Sequence, residues 1–420
     1  MRVVTESLRD YPSLKLVDSL PEEPLTMQVR AELNENVKDH YAPPSATSLK
    51  YSGHGLSSKQ ADELQKCTQA LVLKFAHPQK DVWTALRAAT GLVSEIAAKT
   101  DGYVWDEETR EVFTLEAWRR DRNGQWTEPP RVSRQTIIHE YNTGHSVRAI
   151  TLGMAKMGLP DLVVENAGWS SSSQIGNLIN LVGQAWAEGK PLRRSGEFEL
   201  SLQQIKNTAQ RDDAVKSLKP NATKIGCLTL VPGKWEDGDP HNILVQLTFD
   251  KYPGNDSQAR QDSMVSSFFG WEDHVAYIER DDDELLAASA RAKEQLPVLQ
   301  KAFAAGFQPG EYLELKAPFK TESGGNEWMW VEVTTWRGNR IGGLLNNNPE
   351  KVRNLHSGDH VEIRQEEIFD YLHTFPDKRT EGNTTGPIIQ RLERGLESSK
   401  PPPRQPVIPA CDTRDPYGSH

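Results

Sequence analysis

Cysteine is scarce in this sequence of 420 residues. Cys67, Cys227 and Cys411 are odd in number, lie far apart and form no CxxC pair. The sequence therefore indicates neither a disulfide framework nor a thiolate zinc site. Cys67 precedes a predicted strand and has no base close to it in the sequence that could generate a reactive thiolate, so we expect it to be structural.

Long apolar runs and an excess of basic charge are also absent. No run approaches the roughly 18 residues of a membrane span, and the opening MRVVTESLRDYPS is too polar for a signal peptide. The formal net charge of −10 argues against nucleic acid, whose binders need a concentrated basic face. We expect a cytoplasmic chain with no membrane and no nucleic-acid partner, whereas a basic protein partner suits this charge.

Signatures of catalysis and cofactor binding are missing too. The sequence has no Walker A loop, no GxGxxG after a strand, no GxSxG elbow and no set of protein-kinase motifs. No pair of carboxylates stands out as a general acid and base. We therefore predict no cofactor and no metal, and we keep an enzymatic role only as the alternative described below.

The length of the chain indicates two or three domains, and its pattern indicates an α+β fold. Hydrophobic residues make up 36% and mean hydropathy is −0.63, so polar loops or extended termini must be present. Five segments are predicted: an irregular N-terminal arm over 1–66, an α/β sandwich domain over 67–196, bridging strands and loops over 197–280, a C-terminal domain over 281–395 and a disordered Pro-rich tail over 396–420.

Apolar spacing predicts two layers in the sandwich domain, with helices on one face of a mixed sheet. The predicted helices cover 82–99, 146–157 and 174–188. The predicted strands cover 71–75, 102–105, 111–114, 135–141 and 161–165. In the bridging segment, strands are predicted over 225–231 and 242–249, and a polar loop over 251–270.

Alternating aromatic and β-branched residues over 328–336 predict a strand in the C-terminal domain. One predicted face carries Met329, Val331 and Val333, and the other carries Trp328, Trp330 and Trp336. A turn over 337–340, a strand over 341–345 with a bulge or a close backbone approach at Gly342-Gly343, a strand over 360–363 and a closing helix over 366–372 follow. With a lead-in helix over 283–303, kinked or split at Pro297, these elements predict a small, partly open β-barrel.

A set of residues in ordered spacing runs through this stretch: Glu327, Trp330, Val331, Gly342 or Gly343, Asn346, Pro349, Gly358-Asp359, Val361, Ile368 and Asp370. Together with the lead-in helix, this pattern resembles the YegJ-like domain family, a bacterial domain of unknown function. Tyr371 stands where that family usually has Trp. The resemblance implies a fold and a bacterial setting but no known reaction.

The tryptophan-bearing face is the leading candidate for a functional surface. Because each large aromatic side chain can bury ~150–250 Å², three of them on one face either close a second core or await a partner. The sequence alone does not decide between these two alternatives. We predict non-catalytic binding of a protein or peptide, of an immunity-like, antitoxin-like or accessory kind, through these residues: Trp328, Trp330, Trp336, Glu327, Asn346, Pro349 and Asp359.

The alternative is a hydrolase-type enzyme with a site between the sandwich and the C-terminal domain. There His139, His145, Glu327 and Asp359 would have to converge. His139 and His145 are spaced too widely for the HExxH zinc motif, which needs histidines four residues apart on a helix. The acidic run 281–284 lacks the spacing and the glycine of a calcium loop, and we predict that it caps the lead-in helix.

Overall fold

The computed structural model describes residues 1–45, 48–142, 146–168, 171–191, 196–219, 221–270, 283–308, 310–321, 326–346, 349, 352, 355–376, 379–389 and 409–411. The helices in these ranges are α1 (Arg2–Ser7), α2 (Val37–His40), α3 (Leu49–Ser52), α4 (Ser58–Leu64), α5 (Val82–Thr100), α6 (Leu115–Trp118), α7 (Ser172–Ala187), α8 (Thr208–Lys216), α9 (Ser257–Phe269) and α10 (Asp283–Ala305).

The strands of the N-terminal half are β1 (Lys15–Leu16), β2 (Gln28–Asn34), β3 (Gly53–His54), β4 (Ala70–Ala76), β5 (Val104–Asp106), β6 (Glu111–Phe113), β7 (Ile137–Asn142), β8 (Val147–Leu152), β9 (Asp161–Ala167), β10 (Gly196–Ser201), β11 (Ile225–Pro232) and β12 (Leu244–Thr248). Those of the C-terminal half are β13 (Tyr312–Lys320), β14 (Asn326–Arg337), β15 (Arg340–Leu345), β16 (His360–Arg364), β17 (Asp370–Thr374) and β18 (Thr380–Gly382).

A small sheet near the N-terminus has the order β1-β2-β4. Val4 of α1 and Val29 of β2 are fully buried and pack against Leu92 and Ile96 of α5. The expectation that 1–66 is irregular is therefore wrong for these elements. Prolines separate the short groups of apolar residues in this segment. The sequence therefore shows no regular apolar spacing that would predict the pairing of β2 with β4 or the packing of these residues on α5.

The largest sheet of the N-terminal half has the order β10-β11-β12-β9-β8-β7. It is mixed, because β12 runs parallel to β9 while the other pairs are antiparallel. Helices α7 and α9 pack on it around Leu178, Ile179 and Phe268. A smaller apolar cluster with Ile150 and Val163 also forms in this sheet. The predicted helices at 82–99 and 174–188 are confirmed as α5 and α7.

The predicted helix over 146–157 is wrong, because β8 occupies its first half. Every residue of β8 is buried, and such a continuous buried run carries neither a helical nor a strand period. Gly153 ends the strand at a φ of +98°, and Met154–Met157 forms a short 3-10 turn.

The predicted loop over 251–270 is also wrong, because it contains α9. Asp256 caps this helix by accepting a hydrogen bond from the backbone N–H of Ala259 at 2.8 Å. The helix buries Met264 and Phe268, but its many Ser and Gln residues hid that stripe from the sequence pattern. Gln261, for example, is buried and donates to the carbonyl of Glu165 at 2.7 Å.

The C-terminal half is built on an antiparallel sheet of order β16-β15-β14-β13-β17-β18. Helix α10 covers one face and contributes Leu296 and Leu299 to the core of this half. The lead-in helix is confirmed, and Pro297 lies inside it without splitting it. Asp283 and Glu284 lie in its first turn as expected, while the other two acidic residues of the predicted cap, 281–282, lie outside the described residues.

The predicted closing helix over 366–372 is wrong, because the chain makes a 3-10 turn at Gln365–Glu367 and then enters β17. β17 pairs with β13, and its alternate residues Tyr371 and His373 lie opposite the core residues Leu315 and Leu313. The α+β class is confirmed. Within the described ranges β16 and β18 are not paired with each other, and no closed barrel forms.

A disulfide joins Cys227 of β11 to Cys411, with the two Cα atoms 5.4 Å apart. The sequence pattern did not indicate this bond, because 184 residues separate the two cysteines and no local spacing pairs them. Cys411 lies in the predicted disordered tail, of which only residues 409–411 are described. Cys67 is free and exposed.

Of the helices in the described ranges, none combines the length and the apolar character needed to span a bilayer.

Candidate binding face of the C-terminal sheet

A β-bulge in β14 divides the predicted tryptophan face. The pairing of β14 with β15 shifts between Val333 and Thr335, so that Val333 lies opposite Gly343 but Trp336 lies opposite Ile341. Since one extra residue reverses every later side chain, Trp336 points to the same side as the buried Ile341.

Trp336 therefore belongs to the core and not to the predicted surface. It packs against the helix-covered cluster, with its ring centroid 6.4 Å from that of Phe303. Its Nε1–H donates a hydrogen bond to Gln365 Oε1 at 3.2 Å. The sequence pattern misplaced this residue because strict alternation assumes a strand without a bulge.

The other two tryptophans lie on the opposite side of the sheet, which we call the outer face. It is formed by alternate residues of β13 and β14: Tyr312, Glu314, Lys316, Pro318, Trp328, Trp330 and Glu332. Trp328 is 38% exposed and packs on Phe369 with ring centroids 4.5 Å apart. Trp330 is half-buried, and Lys316 Nζ lies 5.5 Å from its ring centroid. The outer face thus presents aromatic rings, one of which already lies against an ammonium group.

Two carboxylates lie next to these rings at directly opposed positions. Glu314 of β13 is the cross-strand partner of Glu332 of β14. Opposed residues have Cβ atoms about 4.5–5.5 Å apart, and like charges at that separation repel. Glu314 is buried and accepts a hydrogen bond from the side-chain amide of Asn346. Within the described part of the chain, neither carboxylate forms an ion pair with a basic side chain.

Burial raises the pKa of both carboxyl groups. For Glu314 the negative charge of Glu332 adds to that rise, and the hydrogen bond from Asn346 opposes it. For Glu332 burial alone is the cause. Burial also raises the pKa of the nearby Tyr312 phenol, and both glutamates add to that shift, so the three groups share one electrostatic environment.

The alternation of β14 by itself predicts neither Glu314 nor Tyr312, because both lie on the neighbouring strand β13. Their strand, Tyr312–Lys320, places Tyr312, Glu314, Lys316 and Pro318 at a period of two, which is the signal that could have assigned them to one face. No local signal places Glu314 opposite Glu332, since that pairing depends on the register of the hairpin.

The remaining predicted residues lie at different places. Glu327 shares the side of Met329 and lies opposite Phe319, so it is not on the outer face. Asn346 contacts the outer face through the hydrogen bond that its side-chain amide donates to Glu314. Asp359 accepts a hydrogen bond from the backbone N–H of His356 at 2.8 Å in the turn before β16. Pro349 is half-buried.

The described residues of the alternative hydrolase site belong to two different sheets. His139 lies on β7 of the N-terminal half, where burial and then Arg110 lower its pKa and Glu111 opposes this. Glu327 lies on β14 and Asp359 precedes β16, in the other sheet. His145 lies outside the described residues.

One group with metal-ligand character exists among the described side chains, and it is not one predicted from the sequence. It consists of Glu197 with the disulfide-bonded Cys227 and Cys411, whose ligand atoms lie within 4.8 Å of one another. While the two sulfur atoms are bonded to each other, they are not thiolate ligands.

Comparison with known proteins bears on the C-terminal half only. Residues 282–398 match the family described as "Uncharacterized protein conserved in bacteria (DUF2314)". The chain is similar to the "Uncharacterized protein YegJ" of Escherichia coli strain K12, with 32% identity over 75 residues. That similarity covers 18% of this chain and 48%, about half, of the relative. No solved structure matches. The family match and the predicted segment 281–395 nearly coincide, so the predicted resemblance of this segment to the YegJ-like family is confirmed.

Proposed function

We propose that the YegJ-like domain is a non-catalytic binding module that takes a basic segment of a protein partner on its outer face. The observation that carries the proposal is the opposed pair Glu314 and Glu332, which lies beside Trp330 and lacks an ion pair within the described residues. A lysine or arginine from a partner would supply the missing cation.

The charges favour a basic ligand over an acidic or a neutral one. Two neighbouring carboxylates whose pKa is raised by burial are held in their charged form at a cost to the folded protein. A bound cation offsets that cost, so part of the binding free energy comes from relieving repulsion already present in the free domain. Glu332 is the more exposed of the two and is therefore the expected point of contact.

The aromatic rings supply the rest of the contact area. Trp328 and Trp330 are amphipathic and already ordered by Phe369 and Lys316, so little side-chain entropy is lost on binding. A guanidinium or ammonium over such a ring gains about 0.5–2 kcal/mol. The assignment to an immunity-like, antitoxin-like or accessory protein is an analogy that this chemistry permits.

A selection experiment tests the proposal directly. The full chain is immobilised and used to enrich a random peptide display library, followed by sequencing of the bound peptides. We expect enrichment of Lys or Arg beside apolar residues, and we expect Trp328→Ala with Trp330→Ala to weaken the selected peptides about tenfold or more.

The matched control is Trp235→Ala. Trp235 is 53% exposed, lies in the loop between β11 and β12, and stacks on His241 outside the YegJ-like domain. It should leave peptide affinity unchanged. Enrichment of acidic peptides, or equal loss in the control variant, would refute the proposed surface.

A further inference from the structure

The tail segment 409–411 is attached to the N-terminal half at two points, Cys411 and Ala410. Its Cys411 is bonded to Cys227, which is 1% exposed on β11. The carbonyl of its Ala410 accepts a hydrogen bond from Lys251 Nζ at 2.7 Å. The same ammonium pairs with Glu197 of β10 at 2.6 Å. A covalent bond and a charged hydrogen-bond bridge therefore hold this short segment over β10 and β11.

The attachment lies on the side of the sheet away from α9. A side chain added at the neighbouring Gly226 would meet Met264 and Phe268 of α9, so Cys227, the next residue of the strand, points the opposite way. Phe198 and Leu228 belong to the main core, and Glu197 alternates with Phe198. The segment 409–411 thus covers a polar side of β10 and β11.

The disulfide encloses the entire YegJ-like domain. The bond joins positions 184 residues apart, and residues 282–398 lie between them. The domain is therefore connected to the N-terminal half by the chain before it and, through the tail, by the sulfur–sulfur bond. Within the described ranges, the hydrogen bond from Lys251 to Ala410 is what remains to hold the segment 409–411 when the bond is broken.

We propose that Cys227 and Cys411 form a thiol–disulfide switch that controls docking of the segment 409–411 on β10 and β11. A small dithiol is the reductant. Its thiolate attacks Cys411, the more exposed sulfur, and displaces Cys227 as the leaving thiolate. The second thiol of the reductant then displaces Cys411 from the mixed disulfide.

The protein gains two electrons and two protons in this exchange, and the dithiol becomes a cyclic disulfide. Glu197 Oε2 lies 3.8 Å from Cys227 Sγ and is placed to accept the new S–H. With the bond broken, the segment 409–411 dissociates from β10 and β11. This switch is independent of the proposed peptide-binding function.

The test measures thiols and tail protection in the native full-length chain. Of the three cysteines, the oxidised protein should offer one thiol to an alkylating reagent, and the native protein treated with dithiothreitol should offer three. Hydrogen exchange should rise on reduction at 409–411 and along β11, with the far-UV circular dichroism retained.

Cys411→Ser and Cys67→Ser form the matched pair of variants. Cys411→Ser should show the fast exchange of the reduced protein under both conditions, whereas Cys67→Ser, which removes the free exposed cysteine, should switch like wild type. Three reactive thiols after oxidation would overturn the proposal. So would a bond that yields to dithiothreitol only in denaturant, or exchange that does not change on reduction.

Discussion

At the scale of single residues, tryptophans on the two faces of β14 have different roles. Trp336 is packed against Phe303 and bonded to Gln365, whereas Trp328 is partly exposed on the outer face. We expect Trp336→Ala to destabilise the domain by about 2–4 kcal/mol and Trp328→Ala by no more than about 1 kcal/mol. Urea midpoints of the two variants measure this, and equal losses would contradict the assignment of Trp336 to the core.

The glutamate pair gives a prediction about pH. Because the folded pKa of Glu332 lies above its unfolded value, the folded state binds the proton more tightly, and this stability is lost as pH rises through the folded pKa. We therefore expect Glu332→Gln to stabilise the domain by about 0.2–1 kcal/mol at pH 7 and to be neutral near pH 4. Denaturant unfolding at the two pH values checks the sign.

The control for this experiment is Glu362→Gln on β16. Glu362 is exposed, and its Oε1 lies 3.7 Å from a guanidinium nitrogen of Arg340. Because this neighbour is positively charged, removing the charge of Glu362 relieves no repulsion. A gain in stability from this variant equal to that of Glu332→Gln would show that net charge, and not the opposed pair, is responsible.

At the scale of elements, the bulge depends on the glycines opposite it. A Cβ at Gly343 would lie 2.1 Å from the carbonyl oxygen of Glu332 and 2.6 Å from a methyl of Val331. We expect Gly343→Ala to cost about 1–3 kcal/mol, because β15 must move away from β14. Gly176→Ala on α7 is the control, since its Cβ would meet only Ile138 at an ordinary 3.7 Å. Thermal unfolding compares them, and an unperturbed Gly343→Ala would contradict the close approach.

Element prediction succeeded where a periodic pattern belonged to one element. The apolar period of α5 and α7 and the alternation of β14 up to the bulge are local properties. The close backbone approach predicted as one alternative for Gly342-Gly343 is found at Gly343, whereas the bulge itself lies in the opposite strand, β14. Element prediction failed where several neighbouring elements together bury a segment. Every residue of β8 is buried, including Arg148 and Thr151, so its sequence shows no alternation, while α9 carries a buried stripe among polar residues.

The candidate site was predicted only in part for the same reason. Trp328, Trp330 and Asn346 do belong to the outer face, because strand alternation places the tryptophans correctly up to the bulge. The position of Trp336 depends on where one extra residue is inserted, and that of Glu314 depends on hairpin register. Both are set by pairing between strands and not by the local sequence.

At the scale of the whole molecule, the apolar cores of the two halves are made of different residues. The main N-terminal core draws its buried residues from Val82 to Phe269, and the main C-terminal core from Leu296 to Ile368. We therefore expect two unfolding transitions in calorimetry. Because domains with separate cores unfold as separate cooperative units, a mutation in one core should move one transition only.

Arg148→Met is the variant that tests this separation. Arg148 is buried on β8 and holds Asp239 through two hydrogen bonds, of 2.5 and 2.8 Å, so its loss leaves a buried carboxylate unpaired. We expect Arg148→Met to lower the free energy of unfolding by about 3–5 kcal/mol and to shift one transition, while Trp336→Ala shifts the other. A single transition that both variants lower together would contradict two independent cores.

In the proposed complex, Glu332 on the outer face contacts a basic side chain of the protein partner. The most direct measurement is a double-mutant cycle by isothermal titration calorimetry, which combines Glu332→Gln with alanine at the basic position of a selected peptide. A direct contact predicts a coupling free energy of about 1–3 kcal/mol that weakens as pH falls and Glu332 takes up a proton. Two strictly additive losses, with no coupling at any pH, would contradict the claim.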